Sequence, residues 1–321
     1  MKRVAVIGGR GHTGSALLPL LQGHPSIELI AVGSSTMAGT KVSSQVPNMD
    51  SCTLEFESIT KDSISSLNAD AVVLALPNQT SQPFVSAIDS QNDNTIVVDL
   101  SADHRFDGTW AYGQPERFAE TISKATRIAN PGCYATGAQL SVAPLLEKLS
   151  TTPSVFGVSG YSGAGKKPND RNDPQKLSHK VIPYALVDHV HSKEVARHIG
   201  VPIHFHPHVA QSFRGISLTI SATLKEAAQP KHIAELFQKE YAQHPLIDIS
   251  EDIPDLALVQ NTHQVSIGGF VRSEENPKHI SFVCVLDNLL KGAATQAVQN
   301  LNLAFGLDPL EGIHIKKDET P

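Results

Sequence analysis

The sequence predicts an α/β protein: a doubly wound parallel sheet joined to a second, strand-rich lobe. Three observations carry that prediction. A short apolar run, Arg3 to Ile7, stops at glycines and gives way to helical periodicity from Thr13 to Leu21. Apolar runs at 27–32, 71–76 and 95–100 follow, with a helical patch at 64–67, as in a parallel sheet covered on both faces. Beyond residue 150 the runs turn richer in β-branched residues, the mark of a mixed sheet with helices on one side.

Each element has its own signal. The first helix is expected to end near Gly23. A helical pattern covers 134–149, with Pro144 inside it, and the chain breaks at 151–153. Strands are then expected at 154–159, 201–205, 216–222, 265–271 and 280–286, with a helix at 233–241. KKPNDRNDPQK, residues 166–176, is polar and holds two prolines, so it reads as a loop. A long helix is expected at 289–305, and the tail HIKKDETP is expected to fray. The domain division that follows is 1–150, completed by 287–321, with 151–286 as the second domain.

Composition narrows the function. Of 321 residues, 40% are hydrophobic and 18% charged, which excludes a disordered chain or a fibre. Lys plus Arg number 26 against 32 Asp plus Glu, a net charge of −6, and no basic tract stands out, so no nucleic-acid surface is expected. The longest apolar stretches, such as 71–77, fall far short of the roughly 20 residues a membrane helix needs. The apolar run at the amino terminus is too short for a secretory signal. Three cysteines, Cys52, Cys133 and Cys284, with no C-x-x-C pair, argue against a disulfide framework or a zinc ribbon, so a cytoplasmic setting is expected. His204, His206 and His208 alternate as metal ligands might, but Pro207 interrupts them and no acid or thiol stands nearby, so no metal is expected.

Two segments carry chemistry. In GGRGHTG, Gly8, Gly9, Arg10, Gly11, His12, Thr13 and Gly14 lie between the first strand and the first helix. There, glycines let a pyrophosphate approach the free N–H groups of the helix terminus. The second strand ends in AVGSS with no acid to grip a ribose 2′-hydroxyl. Ser34 and Ser35, with Lys41 as a further candidate, suit a 2′-phosphate, so NADP(H) is the expected coenzyme. In ANPGCYATG, turn residues precede Cys133, which opens a helix. A helix amino terminus favours thiolate and offers N–H donors to an oxyanion. A nicotinamide beside a nucleophilic cysteine suggests reduction of an activated acyl group through a thioester.

GGRGHTG, LALPN, DLSADHRF, YGQPE, NPGCYAT, SGYSGAG, HVHSKE, PHVAQSFRGI and DNLLKGAATQAVQNLNLAFGLD stand in the order found in the N-acetyl-γ-glutamyl-phosphate reductase family, which the chain resembles from Val4 to about Asp308. The loop after SGYSGAG resembles the fungal-type branch. The wider family includes aspartate-semialdehyde dehydrogenase. The resemblance implies a Rossmann domain, an inserted α+β catalytic and oligomerisation domain, and a carboxy-terminal helix returning to the first domain. It implies Cys133 as nucleophile and H-x-H-x-x-E as His189, His191 and Glu194, with His191 favoured as acid/base and His189 second. Arg105 and Arg214 become candidates for the substrate's anionic groups. Ser162, Gly163 and Gly165 would line the site, and Asn288 would contact the nicotinamide. His104 departs from the phenylalanine more usual at its position. The implied assembly is a homodimer or homotetramer. The alternatives are a related acyl-phosphate reductase, acting on aspartyl phosphate or a lysine-pathway analogue, and a non-catalytic NADP-sensing regulator on the same fold.

Overall fold

The computed structural model describes residues 1–91 and 94–315, so most of the tail expected to fray lies outside the described residues. The chain forms two compact units, Met1–Gly132 with Ala293–His314, and Cys133–Gly292.

The first unit contains β1 (Lys2–Ile7), α1 (His12–Gln22), β2 (Ile27–Gly33), β3 (Phe56–Glu57), β4 (Ala71–Leu74), α2 (Gln82–Asp89), β5 (Ile96–Asp99), β6 (Ala111–Tyr112), α3 (Pro115–Ile122) and β7 (Arg127–Ala129). Its seven strands run in the order β3-β2-β1-β4-β5-β7-β6, and every neighbouring pair is parallel. Val4, Ala5, Val6, Val72, Val73, Val97 and Val98 are buried, the continuous burial of strands sandwiched between helical layers. Sequence reading missed β3, β6 and β7, which have two or three residues and no readable period.

The second unit contains α4 (Cys133–Val142), β8 (Ser154–Gly160), β9 (Val181–Pro183), α5 (Val190–Ile199), β10 (His204–Ala210), β11 (Ile216–Thr223), α6 (Pro230–Glu240), β12 (Ile247–Ser250), α7 (Leu256–Val259), β13 (Val265–Arg272) and β14 (His279–Leu286). Its mixed sheet has the order β12-β13-β14-β11-β8-β10-β9. One face carries the core: Val155, Phe205, Leu218, Ile220, Phe282 and Cys284 are buried with Tyr134, Leu140 and Phe237. The other face is a row of partly or fully exposed residues paired across four strands, with His206 beside Phe156, Phe156 beside Thr219, and Thr219 beside Val283. A π turn, Leu290–Ala294, leads into α8 (Thr295–Phe305), which packs on α1 and α3 in the first unit.

Three differences from expectation have physical causes. The helix at 134–149 is α-helical only to Val142 and then tightens into a 3₁₀ turn, Ala143–Lys148. Pro144 has no N–H to give the Leu140 carbonyl, which instead accepts the Tyr241 hydroxyl at 2.6 Å. The strand expected at 201–205 lies at His204–Ala210, with Pro207 inside it. The Pro207 carbonyl accepts from Tyr184 N on the β9 side, beyond the residues where β9 pairs, so the missing N–H breaks no ladder bond. The helix expected at 289–305 opens as a π turn, with Gly292 N donating to Asp287 O at 2.9 Å, five residues back.

Candidate active site

In the first unit the glycine loop has the shape of a phosphate cradle. Gly8 has φ of +88°, and a Cβ there would sit 2.3 Å from the Ala75 carbonyl oxygen. Gly14 lets the first turn of α1 lie on the loop, since its Cβ would stand 2.6 Å from Gly8 O. Gly11 is the N-cap of α1 and contributes no side-chain cap, so no capping oxygen competes for the helix terminus. These residues fit the pyrophosphate of a dinucleotide. Arg10, His12 and Thr13 occupy the same turn. Ser34 is buried, with its N–H on Glu57 O at 2.9 Å, whereas Ser35 is exposed. No acid ends β2, but Glu57 on β3 stands in register with Gly33. Sequence reading could not find that neighbour, because it comes from a two-residue strand.

The turn that leads to the cysteine is held by buried groups of the first unit. Arg105 Nε donates to Asn130 O at 2.9 Å and Nη2 to Leu100 O at 3.0 Å. Asn300 on α8 donates to Asn130 Oδ1 at 2.9 Å. His104 fills the place of a flat ring: it stacks on Trp110 with centroids 4.0 Å apart and shares a hydrogen bond with Ser81 Oγ.

In the second unit, Cys133 is half-buried and is the first residue of α4, while Tyr134 to Val142 are all buried. The helix is buried all round, its polar residues Thr136, Gln139 and Ser141 included. A Cβ on Gly292 would come 2.8 Å from the Cys133 Cβ, so the π turn presses directly on the nucleophile candidate. The Tyr134 hydroxyl donates to His208 O at 2.7 Å. Its ring fits because β8 has Gly157 beneath it, where a Cβ would stand 2.6 Å from the ring.

His189 is the N-cap of α5, its Nδ1 accepting from His191 N at 3.1 Å. Burial, then the nearby Arg171 cation, push its pKa down to about 4. His189 is thus a neutral capping group at pH 7. The His191 ring lies 4.9 Å from that of His189 and 6.0 Å from that of Tyr134. Glu194 is fully buried, three residues after His191 on the same helix. Sequence reading overlooked Tyr184: its ring is 5.6 Å from His189, and burial, then Cys133, push its pKa up to about 12. No local signal marks it, because the contacts arise only from folding.

The remaining candidates gather at the end of β8, around buried Ser162 and Asn288. Asn288 Oδ1 accepts from Gly215 N at 2.7 Å, and Nδ2 donates to Ser162 Oγ at 2.9 Å. Gly163 abuts this pair, its Cβ position 3.4 Å from Ser159 Oγ, while Gly165 turns the chain at φ of +78°. Arg214 Nε pairs with Asp287 at 3.3 Å and Nη1 bonds to Asn261 Oδ1. Asp287 is fully buried and also accepts from Asn261 N, Leu289 N and Leu290 N. The structure thus groups Cys133, His189, His191 and Glu194 with Tyr134 and Tyr184, and gives Arg105, Arg214, Ser162 and Asn288 internal partners.

Residues 3–125 match the family model for the semialdehyde dehydrogenase NAD binding domain, and residues 133–288 match that for the semialdehyde dehydrogenase dimerisation domain. The chain is 46% identical over 310 residues to an N-acetyl-gamma-glutamyl-phosphate reductase of Xanthomonas campestris, covering 97% of this chain and 98% of that one. It is 46% identical over 318 residues to one from Xylella fastidiosa, covering 99% and 97%. Among solved structures, aspartate semialdehyde dehydrogenase II of Vibrio cholerae matches with a TM-score of 0.76 and 17% identity over 95% of this chain and 98% of that one. The Candida albicans aspartate semialdehyde dehydrogenase with NADP matches with a TM-score of 0.71 and 16% identity over 95% and 99%. The fold, the glycine cradle and these matches together place the chain in the N-acetyl-γ-glutamyl-phosphate reductase family, a family of nicotinamide-dependent oxidoreductases within the semialdehyde dehydrogenases.

Proposed function

We propose that the protein reduces N-acetyl-γ-glutamyl phosphate to N-acetylglutamate 5-semialdehyde with NADPH, releasing phosphate, as a step of arginine biosynthesis. The observation that carries this reading is Cys133: a half-buried thiol opening α4, with Gly292 against its Cβ and the ring of His191 one neighbour away.

On this reading the Cys133 thiolate attacks the γ-carbonyl carbon. The C–O bond to phosphate breaks, phosphate departs with the electron pair, and a thioester remains on Sγ. N–H groups of the first turn of α4 stabilise the oxyanion. When bound, the nicotinamide supplies hydride to the thioester carbonyl carbon. His191 donates a proton to the resulting oxyanion and withdraws it as the hemithioacetal collapses, so that the C–S bond breaks and thiolate returns. Glu194 orients His191, and His189, neutral and capping α5, fixes the helix start. Arg105 and Arg214 act as braces, of the turn before Cys133 and of Asp287. Ser162, Gly163, Gly165 and Asn288 form the wall of the site.

Ser34 and Ser35 support a 2′-phosphate, and Glu57 makes NADH the comparison to run. The second domain is read as catalytic and oligomerising. Its uncovered sheet face, centred on Phe156 and Thr219, suits a homodimer or homotetramer, and three free cysteines suit a reducing cytoplasm. The test is phosphate-dependent reduction of NADP+ and of NAD+ by N-acetylglutamate semialdehyde and by aspartate semialdehyde. The account expects turnover with the first aldehyde and NADP+, and loss of it in Cys133→Ser. Turnover within a few-fold of the parent in that variant rejects the mechanism.

A further inference from the structure

We propose that Arg171, on the loop between β8 and β9, is the cation that binds an oxyanion of the substrate beside Cys133. The inference rests on the acyl-phosphate reading for the identity of that anion. Such a substrate carries a carboxylate and a phosphoryl group, and its site needs a cation able to exchange water for oxyanion.

The two arginines singled out by sequence have internal partners: main-chain carbonyls for Arg105, and Asp287 with Asn261 for Arg214. Arg171 differs. Its guanidinium carbon lies 4.6 Å over the ring of Tyr184, and no described residue hydrogen-bonds or ion-pairs with the guanidinium. The acid next to it, Asp170, is taken by Lys176 at 2.6 Å. Stacking on a ring face leaves the edge of the guanidinium fork open to a bidentate oxyanion.

The loop is built to hold Arg171 there. Asn172 Nδ2 donates to Gly165 O and Lys167 O, both at 2.7 Å. Asn169 N donates to Asn172 Oδ1 at 2.8 Å, and Asn169 Oδ1 accepts the Arg171 N–H at 2.9 Å. The ring under the guanidinium then connects to the reaction centre: Tyr184 faces His189 edge to face at 5.6 Å, the His189 ring lies 4.9 Å from that of His191, and the His191 ring lies 6.0 Å from that of Tyr134, the residue after Cys133. The charge of Arg171 is felt at both Tyr184 and His189.

The experiment compares the wild type with Arg171→Gln and Arg171→Lys in the phosphate-dependent direction. Cys133 alkylation by iodoacetate and by iodoacetamide is measured in parallel. Loss of a charge-assisted bidentate contact is expected to raise one KM by about 10- to 100-fold, with kcat changed far less and Arg171→Lys intermediate. A rise in the KM of inorganic phosphate assigns Arg171 to the phosphoryl group. A rise in that of the semialdehyde assigns it to the carboxylate. Arg171→Gln is also expected to lose any preference of Cys133 for the anionic alkylating reagent over the neutral one. Both KM values and the reagent ratio staying within twofold of wild type overturns the inference while leaving the acyl-phosphate reading intact. If the wild type turns over no semialdehyde, that reading fails, and the reagent ratio still decides whether Arg171 draws anions to Cys133.

Discussion

The glycine loop of the first unit and the cysteine cluster of the second are both built around close approaches, but they are assembled differently. The loop is local: Gly8, Gly9, Gly11 and Gly14 lie in one stretch from the end of β1 into the first turn of α1. The cluster draws on α4, the segment after β9, the start of α5 and the π turn before α8, with Gly292 meeting Cys133 across the sequence from DNLLKGAA to NPGC. A local device is legible as a motif, whereas an assembled one shows in sequence only where a residue type betrays its chemistry.

Variants at the two sites sharpen this contrast. The largest effect is expected at the loop. Gly8→Ala combines an unfavourable φ with a clash on the Ala75 carbonyl, so coenzyme titration by fluorescence should show no saturable binding. Saturation at wild-type concentrations would mean the loop does not cradle the coenzyme. Gly292→Ala comes next. The added methyl meets the Cys133 Cβ at 2.8 Å, and misplacing a nucleophile by that contact should cost about 100-fold in turnover while coenzyme affinity stays unchanged. Turnover unchanged would separate the π turn from the nucleophile.

Arg105→Met tests the brace. Two main-chain carbonyls would lose their donors, which should lower unfolding free energy by about 1–3 kcal/mol, read from urea midpoints. An unaltered midpoint would return Arg105 to the list of groups free for substrate. The smallest effect is expected at His189. Its pKa of about 4 lies below the usual 6.5, so the unfolded chain takes up that proton first and stability falls as pH drops from about 6.5 toward 4. His189→Asn keeps a capping acceptor and removes the titration. Its stability should decline less than the wild type's across that window, and parallel curves would contradict a neutral, partly buried His189.

Much of the fold was readable because burial leaves a period. Arg3 to Ile7, the 71–76 run and the strands at 216–222 and 280–286 were all found close to their observed limits. β6, β7 and β9 were not, since two or three residues carry no period. Pro207 misled because its missing N–H matters only on the side where β9 has already ended. At the site, Cys133 stood out by its residue type at a turn before a helix, whereas His189 and His191 were marked only by the resemblance of HVHSKE to the family motif. Tyr184, Gly292 and Arg171 were not legible, because a tyrosine, a glycine and a loop arginine look ordinary until folding puts Arg171 over the Tyr184 ring and Gly292 against the Cβ that carries the Cys133 sulfur.

That sulfur is tested most directly without coenzyme. The protein is mixed with N-acetylglutamyl phosphate, quenched in acid and mapped by mass spectrometry. The account predicts an acyl group on the peptide containing Cys133, formed together with a matching release of phosphate. Phosphate release with Cys133 unmodified, or acylation at another residue, would contradict it.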